Sequence, residues 1–266
     1  MNSEKFEATR HDQQVAAGRD RRGWVQLLRR GWIAVVLVLC GCASTGAPLT
    51  APEADPWEPF NRSVYKFNDG LDRILLKPVA KGYDAVMPDA PQRGVRNFFR
   101  NLAYPVTFLN LLLQGKVDES ITASGRFFMN TTVGLFGFFD VATKAGLPAY
   151  NEDFGQTMAV WGWEESRYLM VPVLGPSTIR DTGGRSFYGF ASPISYMIRE
   201  ENEYRPLIAD IITVRASLLP FDKDIEAAND PYVLVRDVYL QNREFEIYDG
   251  DPPAPDYDAL LEDVEE

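Results

Sequence analysis

Arg126-Phe127-Phe128-Met129-Asn130-Thr131-Thr132-Val133-Gly134-Leu135-Phe136-Gly137-Phe138-Phe139-Asp140-Val141-Ala142-Thr143-Lys144-Ala145-Gly146-Leu147-Pro148 is crowded with phenylalanine and interrupted by glycine. Apart from Asp140, its few charges sit near its edges. A second apolar run, Phe98 to Leu113, comes just before it. Together they form the apolar middle of an acidic chain of 266 residues, with 27 Lys and Arg against 38 Asp and Glu. Such a middle is either an ordinary core or a surface made for lipid.

Working outward, residues 92–114 read as a helix. Its polar positions (Arg93, Arg96, Asn97, Arg100, Asn101, Thr107, Asn110 and Gln114) fall mostly three or four apart. A surface helix in water carries an apolar stripe of roughly 100°; here the apolar arc is wider than the polar one. Burial in a core accounts for the periodicity. Lipid outside accounts for the width and leaves the polar stripe to face a channel. Pro105 predicts a kink.

Upstream, Val64, Phe67, Leu71, Ile74 and Leu75 predict a helix over 59–77. A short segment follows from Pro78 to Val86, and Met87–Pro91 breaks the chain with Asp89 as N-cap. Downstream of Gly115, Asp118-Glu119-Ser120 opens a helix to about Asn130. Residues 150–185 read as loops with short extended pieces, and Ser177–Asp181 as one helical turn stopped by Gly183-Gly184. A helix over 206–219 has Leu207, Ile208, Ile211, Val214 and Leu218 as its apolar side. Asn229-Asp230-Pro231 starts a last helix that ends near Tyr248.

The N-terminus carries targeting signals. Arg19, Arg21, Arg22, Arg29 and Arg30 precede the apolar Ile33–Leu39, a run too short to span a bilayer, which takes about 20 residues. This is the plan of a signal peptide, residues 1–41. The part before Gly23 is long for one, and reads as an extension or an early start codon. Leu39-Cys40-Gly41-Cys42 reads as a lipobox: Cys42 is the acylation site because Gly41 supplies the small residue before it. Acyl chains, palmitate among them, anchor the chain, since more than one chain is needed for stable attachment. Ala43 rather than Asp after the cysteine favours the outer membrane, periplasmic face. Residues 42–56 are a flexible tether rich in small residues and proline, 57–250 a single domain, and 251–266 an acidic, disordered tail.

Removing residues 1–41 takes away 7 basic and 4 acidic residues, which brings the net charge from −11 to about −14. That argues against nucleic acid as a partner and against electrostatic docking on anionic lipid. His11 lies in the removed part, and Cys42 is acylated. No Ser-His-Asp triad, Cys-His pair or histidine-ligated metal site can be built from the rest. The expectation is therefore no enzyme, no metal and no cofactor. Asp153 and Glu164-Glu165 read as a solvated loop before they read as acid/base carboxylates. Arg126 reads as an internal ion pair or a partner for lipid phosphate. Trp57, Trp161 and Trp163 read equally as core residues or interfacial anchors.

Several segments, in order, resemble the MlaA (VacJ) family of outer-membrane lipoproteins. They are Asp55-Pro56-Trp57-Glu58-Pro59-Phe60-Asn61-Arg62, Lys77-Pro78-Val79-Ala80, Arg126–Thr131 through Gly137–Ala142, Phe154-Gly155-Gln156-Thr157, Gly175–Asp181, and Asp230-Pro231-Tyr232 leading to Arg236. The resemblance implies a mainly α fold: one domain of amphipathic helices arranged as a ring in one membrane leaflet, with a hairpin segment. It implies an amphipathic channel that removes mislocalised phospholipid from the outer leaflet and passes it to a periplasmic lipid carrier of the Mla system. A trimeric outer-membrane porin is the implied partner, and no bond is broken. On this reading the channel or lipid contacts are Asn97, Asn101, Asn110, Arg126, Phe127, Phe128, Phe138 and Phe139. Gly155 and Gly162 supply hairpin flexibility, although Ala159, Glu164, Glu165 and Ser166 stand where the family often has glycine. Two rival classes remain: an envelope scaffold binding porin or peptidoglycan without lipid transfer, and a carboxylate-based hydrolase.

Overall fold

A computed structural model describes residues 54–193, 195 and 204–253. The chain divides into two units, Met1–Thr45 and Gly46–Glu266. All described residues belong to the second. The expected signal peptide, Cys42, most of the expected tether and the expected tail beyond 253 lie outside them.

The domain is mainly α, as expected. α1 (Glu58–Leu71) runs through a π-helical turn (Asp72–Leu76) into α2 (Lys77–Val86). The boundary expected at Lys77 is therefore not a break. A proline ring inside a helix clashes with the carbonyl four residues back, which for Pro78 is Ile74, inside the widened turn. The π-turn accommodates Pro78 where an α-helix would kink. α3 (Asp89–Leu113) starts three residues before the expected point, and Asp89 is its first residue, with Pro88 at the N-cap. The helix is continuous through Pro105. Gly115 (φ +80) reverses the chain into α4 (Val117–Thr132). α3 and α4 pack as a hairpin around Tyr104, Leu111 and Ala123, with Phe127 and Tyr150 against them.

After α5 (Val141–Lys144), α6 (Phe154–Val160) lies where a loop was expected. Asp153 is its N-cap, accepting the Gln156 N–H at 3.0 Å. β1 (Tyr168–Val171) and β2 (Gly175–Thr178) form an antiparallel hairpin with Tyr168 opposite Thr178 and Val171 opposite Gly175. α7 (Ile179–Ala191) runs straight through Gly183-Gly184. These glycines do not stop the helix. A Cβ on Gly184 would lie 2.7 Å from the Gly155 nitrogen, so the pair lets α6 and α7 touch backbone to backbone.

α8 (Arg205–Leu218) leads through a 3-10 turn (Leu219–Phe221) and α9 (Asp222–Ala227) to α10 (Pro231–Ile247). Asp230 caps α10, accepting from the Tyr232 and Val233 amides as its sequence predicts. Val64, Tyr168, Met170 and Tyr232 form a core that joins α1, the hairpin and α10.

Burial is inverted relative to a protein made for water. Among the described residues, buried polar and charged side chains outnumber buried apolar ones. α8 docks on α2 with Thr213 and Ala216 buried, while Leu207, Ile208, Ile211, Val214 and Leu218 stay exposed. Its expected apolar side is thus its outer side. None of the described helices is long and apolar enough to cross a membrane.

Candidate lipid-facing site

The loop from Val133 to Asp140 follows α4 and exposes Val133, Leu135, Phe136 and Phe139 near α3. It is fixed from beneath by one buried cation. Arg126 is 1% exposed. Its Nε donates to the Tyr104 hydroxyl at 2.7 Å and its Nη1 to the Leu147 carbonyl. Its Nη2 donates to Asp140 at 3.0 Å and to the Thr143 hydroxyl at 3.0 Å. Asp140 also accepts from Asn130 Nδ2 and from the Thr143 N–H, each at 3.1 Å, and so caps α5. Burial alone would push the Asp140 carboxyl up. The Thr143 hydroxyl and amide, Asn130 and the Arg126 charge instead hold it below the usual carboxylate range.

Above this clamp the backbone is strained. Leu135 (φ 52) and Phe136 (φ 58) are left-handed, as is Gly137 (φ 92). The left-handed region costs about 1–2 kcal/mol for a residue with a Cβ. Three amides hold the shape: Phe136 to the Thr131 carbonyl, Gly137 to that of Asn130, and Phe139 to that of Gly134. The consequence is that Leu135 and Phe136 point outward, 62% and 70% exposed, beside Phe128, Val133 and Phe139. Leaving such side chains in water forfeits about 2 kcal/mol each, so an apolar surrounding would recover it.

The inner side of the loop rests on α3. Asn97 Nδ2 donates to the Phe138 carbonyl at 3.4 Å, and Asn101 Nδ2 to Thr131 Oγ1 at 2.8 Å. A Cβ on Gly94 would lie 2.2 Å from Cζ of Phe138, so the ring needs glycine there. A small polar cleft opens alongside, lined by Asn97, Arg100, Tyr104, Arg126, Asn130 and Asp140.

The residues expected to contact lipid thus separate. Phe128 and Phe139 are exposed; Phe127 and Phe138 are half-buried, against the α3–α4 core and Gly94 respectively. Asn97 borders the cleft. Asn101, Asn110 and Arg126 are instead structural. Asn110 is fully buried, donating to the Val106 carbonyl and accepting from the Thr157 hydroxyl at 2.8 Å. The Arg126 guanidinium is consumed by internal acceptors. Gly155 is also no hinge: a Cβ there would lie 2.3 Å from Asp181 Oδ1 and 2.5 Å from Arg243 Nη2. Gly162 (φ +106) is exposed with open space around it, just past α6. Trp57 and Trp161 are exposed, and Trp163 is half-buried.

Three arrangements escaped the sequence reading. Asp55 is buried and accepts from Asn61 (2.8 Å) and the Tyr232 hydroxyl (2.5 Å), which ties the start of the domain to α10. Asn61 and Asn68, two helical turns apart on α1, pair with β1 like a neighbouring strand. Asn61 accepts the Met170 N–H at 2.9 Å, and Asn68 accepts the Val173 N–H at 2.8 Å and donates to the Val171 carbonyl at 3.0 Å. Arg243 joins Asp153 (2.6 Å) to Asp181 (2.9 Å), so Asp153 is a cap and ion-pair partner, not a solvated loop residue. Burial pushes Asp181 up, but Arg180, Arg243 and the Tyr239 hydroxyl hold it below its ordinary range. The seven-residue spacing of Asn61 and Asn68, and Asp153 before Phe-Gly-Gln, were the available signals.

The family model described as MlaA lipoprotein matches residues 53–246. The chain belongs to the MlaA lipoprotein family. An MlaA relative from Escherichia coli (strain K12), named intermembrane phospholipid transport system lipoprotein MlaA, is 33% identical over 236 residues, covering 86% of this chain and 93% of the relative. An uncharacterized protein of Rickettsia typhi is 37% identical over 192 residues, covering 71% and 76%. A solved structure described as "Structural basis for maintenance of bacterial outer membrane lipid asymmetry" aligns with a TM-score of 0.64 at 32% identity, over 73% of this chain and 98% of the other. The MlaA match thus runs from just before α1 almost to the end of α10. The antiparallel hairpin of this chain is residues 168–178, pinned by α1 through Asn61 and Asn68.

Proposed function

We propose that this chain is an envelope lipoprotein that moves intact phospholipid between the outer membrane and a periplasmic carrier. It removes mislocalised phospholipid from the outer leaflet and so maintains lipid asymmetry. The observation that carries this reading is the inverted burial: an α-helical domain whose ionic networks lie inside while Phe128, Leu135, Phe136 and Phe139 lie outside. The names of the relatives in Escherichia coli, Shigella flexneri and Haemophilus influenzae support it. In this reading the helices form a ring seated in the inner leaflet, anchored through acylated Cys42, beside a trimeric porin. The energy for lipid passage comes from matching apolar and polar surfaces to the two parts of the lipid, with no bond broken.

The test uses the full acylated chain in vesicles carrying labelled phospholipid in the outer leaflet, with a soluble acceptor. Appearance of intact labelled lipid on the acceptor supports transport. Labelled fragments would mark a hydrolase, and no movement would mark a scaffold.

A further inference from the structure

Among the described residues, most arginines of this acidic chain meet carboxylates, Arg73 on Asp69 included. Arg62, Arg126, Arg180, Arg215, Arg236 and Arg243 all do so within the domain. On α3, Arg93, Arg96 and Arg100 have no acceptor among the described residues. With 38 carboxylates in the chain, this is not for want of anions.

Spacings of three and four put these arginines on one line of the helix. Further along the same line, Tyr104, Thr107 and Leu111 are buried in protein. At the arginines the line is open: Arg93 and Arg100 are exposed and Arg96 is half-exposed. Along this line of α3, protein covers the helix from Tyr104 onward and leaves the three arginines uncovered among the described residues. Arg100 also borders the polar cleft with Asn97 and Tyr104. One face round, Gly94 receives Phe138, so the outward Phe136 and Phe139 lie in the adjoining loop.

Cations in a row beside an exposed apolar loop match an amphiphile with an anionic head. We infer that Arg93, Arg96 and Arg100 hold the phosphodiester of a phospholipid whose acyl chains lie toward residues 133–139. The inference rests on the transport reading and assigns its headgroup site. A guanidinium fork meets two phosphate oxygens at once and is always charged. The phosphodiester is common to glycerophospholipids, so a site of this kind accepts them whatever the rest of the head. Arg93, Arg96 and Arg100 belong to the polar stripe that the sequence turns toward a channel, whereas Asn101, Asn110 and Arg126 are spent on internal bonds.

The test is calorimetric titration of the full acylated chain in neutral detergent with three probes: short-chain phosphatidylglycerol, diacylglycerol of the same chain length, and inorganic phosphate. Wild type is expected to prefer phosphatidylglycerol over diacylglycerol by about tenfold or more, the value of one charge-assisted hydrogen bond. A variant with Arg93→Gln, Arg96→Gln and Arg100→Gln is expected to keep diacylglycerol affinity and lose that preference. Arg167→Gln, at another exposed arginine, is expected to leave it intact. The triple variant breaks no internal bond, so its melting temperature should match wild type. An unchanged preference in the triple variant overturns the arginine assignment alone. Inorganic phosphate competing as well as the lipid overturns lipid as the occupant. Wild type binding neither short-chain lipid overturns this inference together with the transport reading.

Discussion

At the scale of single residues, glycines in and before the Phe-Gly stretch do different work. A Cβ at Gly137 would meet Cβ of Asn101 at 2.3 Å, and the residue sits at φ +92. A Cβ at Gly94 would meet the tip of the Phe138 ring, which is half-buried and can swing away. Gly115 at φ +80 has open space around it. Alanine should therefore cost about 1 kcal/mol at Gly115, from backbone conformation alone, and about 2–4 kcal/mol at Gly137, where strain and overpacking add. Gly94→Ala should cost about 1–3 kcal/mol, as an overpacking change that a ring can partly relieve. Unfolding midpoints in detergent check the order, and Gly137→Ala melting with Gly115→Ala would contradict it. Asp140, the charge set inside the Phe-Gly stretch, is the acceptor that Arg126 and Asn130 share. That pairing is invisible in sequence because its members are 14 and 10 residues apart across a turn of unusual φ.

At the scale of elements, helix positions were legible where caps and proline marked them. Asp230-Pro231 opened α10 where its chemistry said. α6 and the passage of α7 through Gly183-Gly184 were not legible, because tertiary contact overrides propensity there: a glycine that interrupts an isolated helix is required where two backbones meet. The apolar side of α8 was found correctly but faces outward. Periodicity reports that a face is apolar and says nothing of what covers it. The hairpin depends on α1 through two asparagines. Asn68→Ala removes both bonds to the Val171–Val173 edge, so amide exchange at Val173 should quicken by about fivefold to tenfold, at roughly 1 kcal/mol per lost hydrogen bond. Met170, held by Asn61, should exchange as before. Equal acceleration at both amides would mean that the hairpin opens as one unit and that the bonds are not individually limiting.

At the scale of the molecule, the electrostatics set a pH response. Asp140 and Asp181 are held below their ordinary value of 3.8. Their contribution to stability is complete above that value and is lost as pH falls through the depressed folded-state values. Glu152, pushed up from 4.5 chiefly by burial, works in the opposite sense: its contribution is complete below 4.5 and fades as pH rises through the raised value. Melting temperature should therefore fall as pH is lowered below about 4, and Asp140→Asn should flatten part of that fall. An identical slope in the variant would contradict the clamp.

The same scale holds the central claim, that the outer apolar surface of this domain faces hydrocarbon. The family and the helical class were readable from ordered motifs. Which side chains face out was not, because a core and a lipid-facing wall share one composition. The direct measurement is a nitroxide at Phe136→Cys in the full chain reconstituted in vesicles, where acylation, on the proposed reading, blocks Cys42. The account predicts collision with oxygen, which concentrates in acyl chains, to exceed collision with a water-soluble nickel chelate. Collision dominated by the nickel chelate would place Phe136 in water and contradict it.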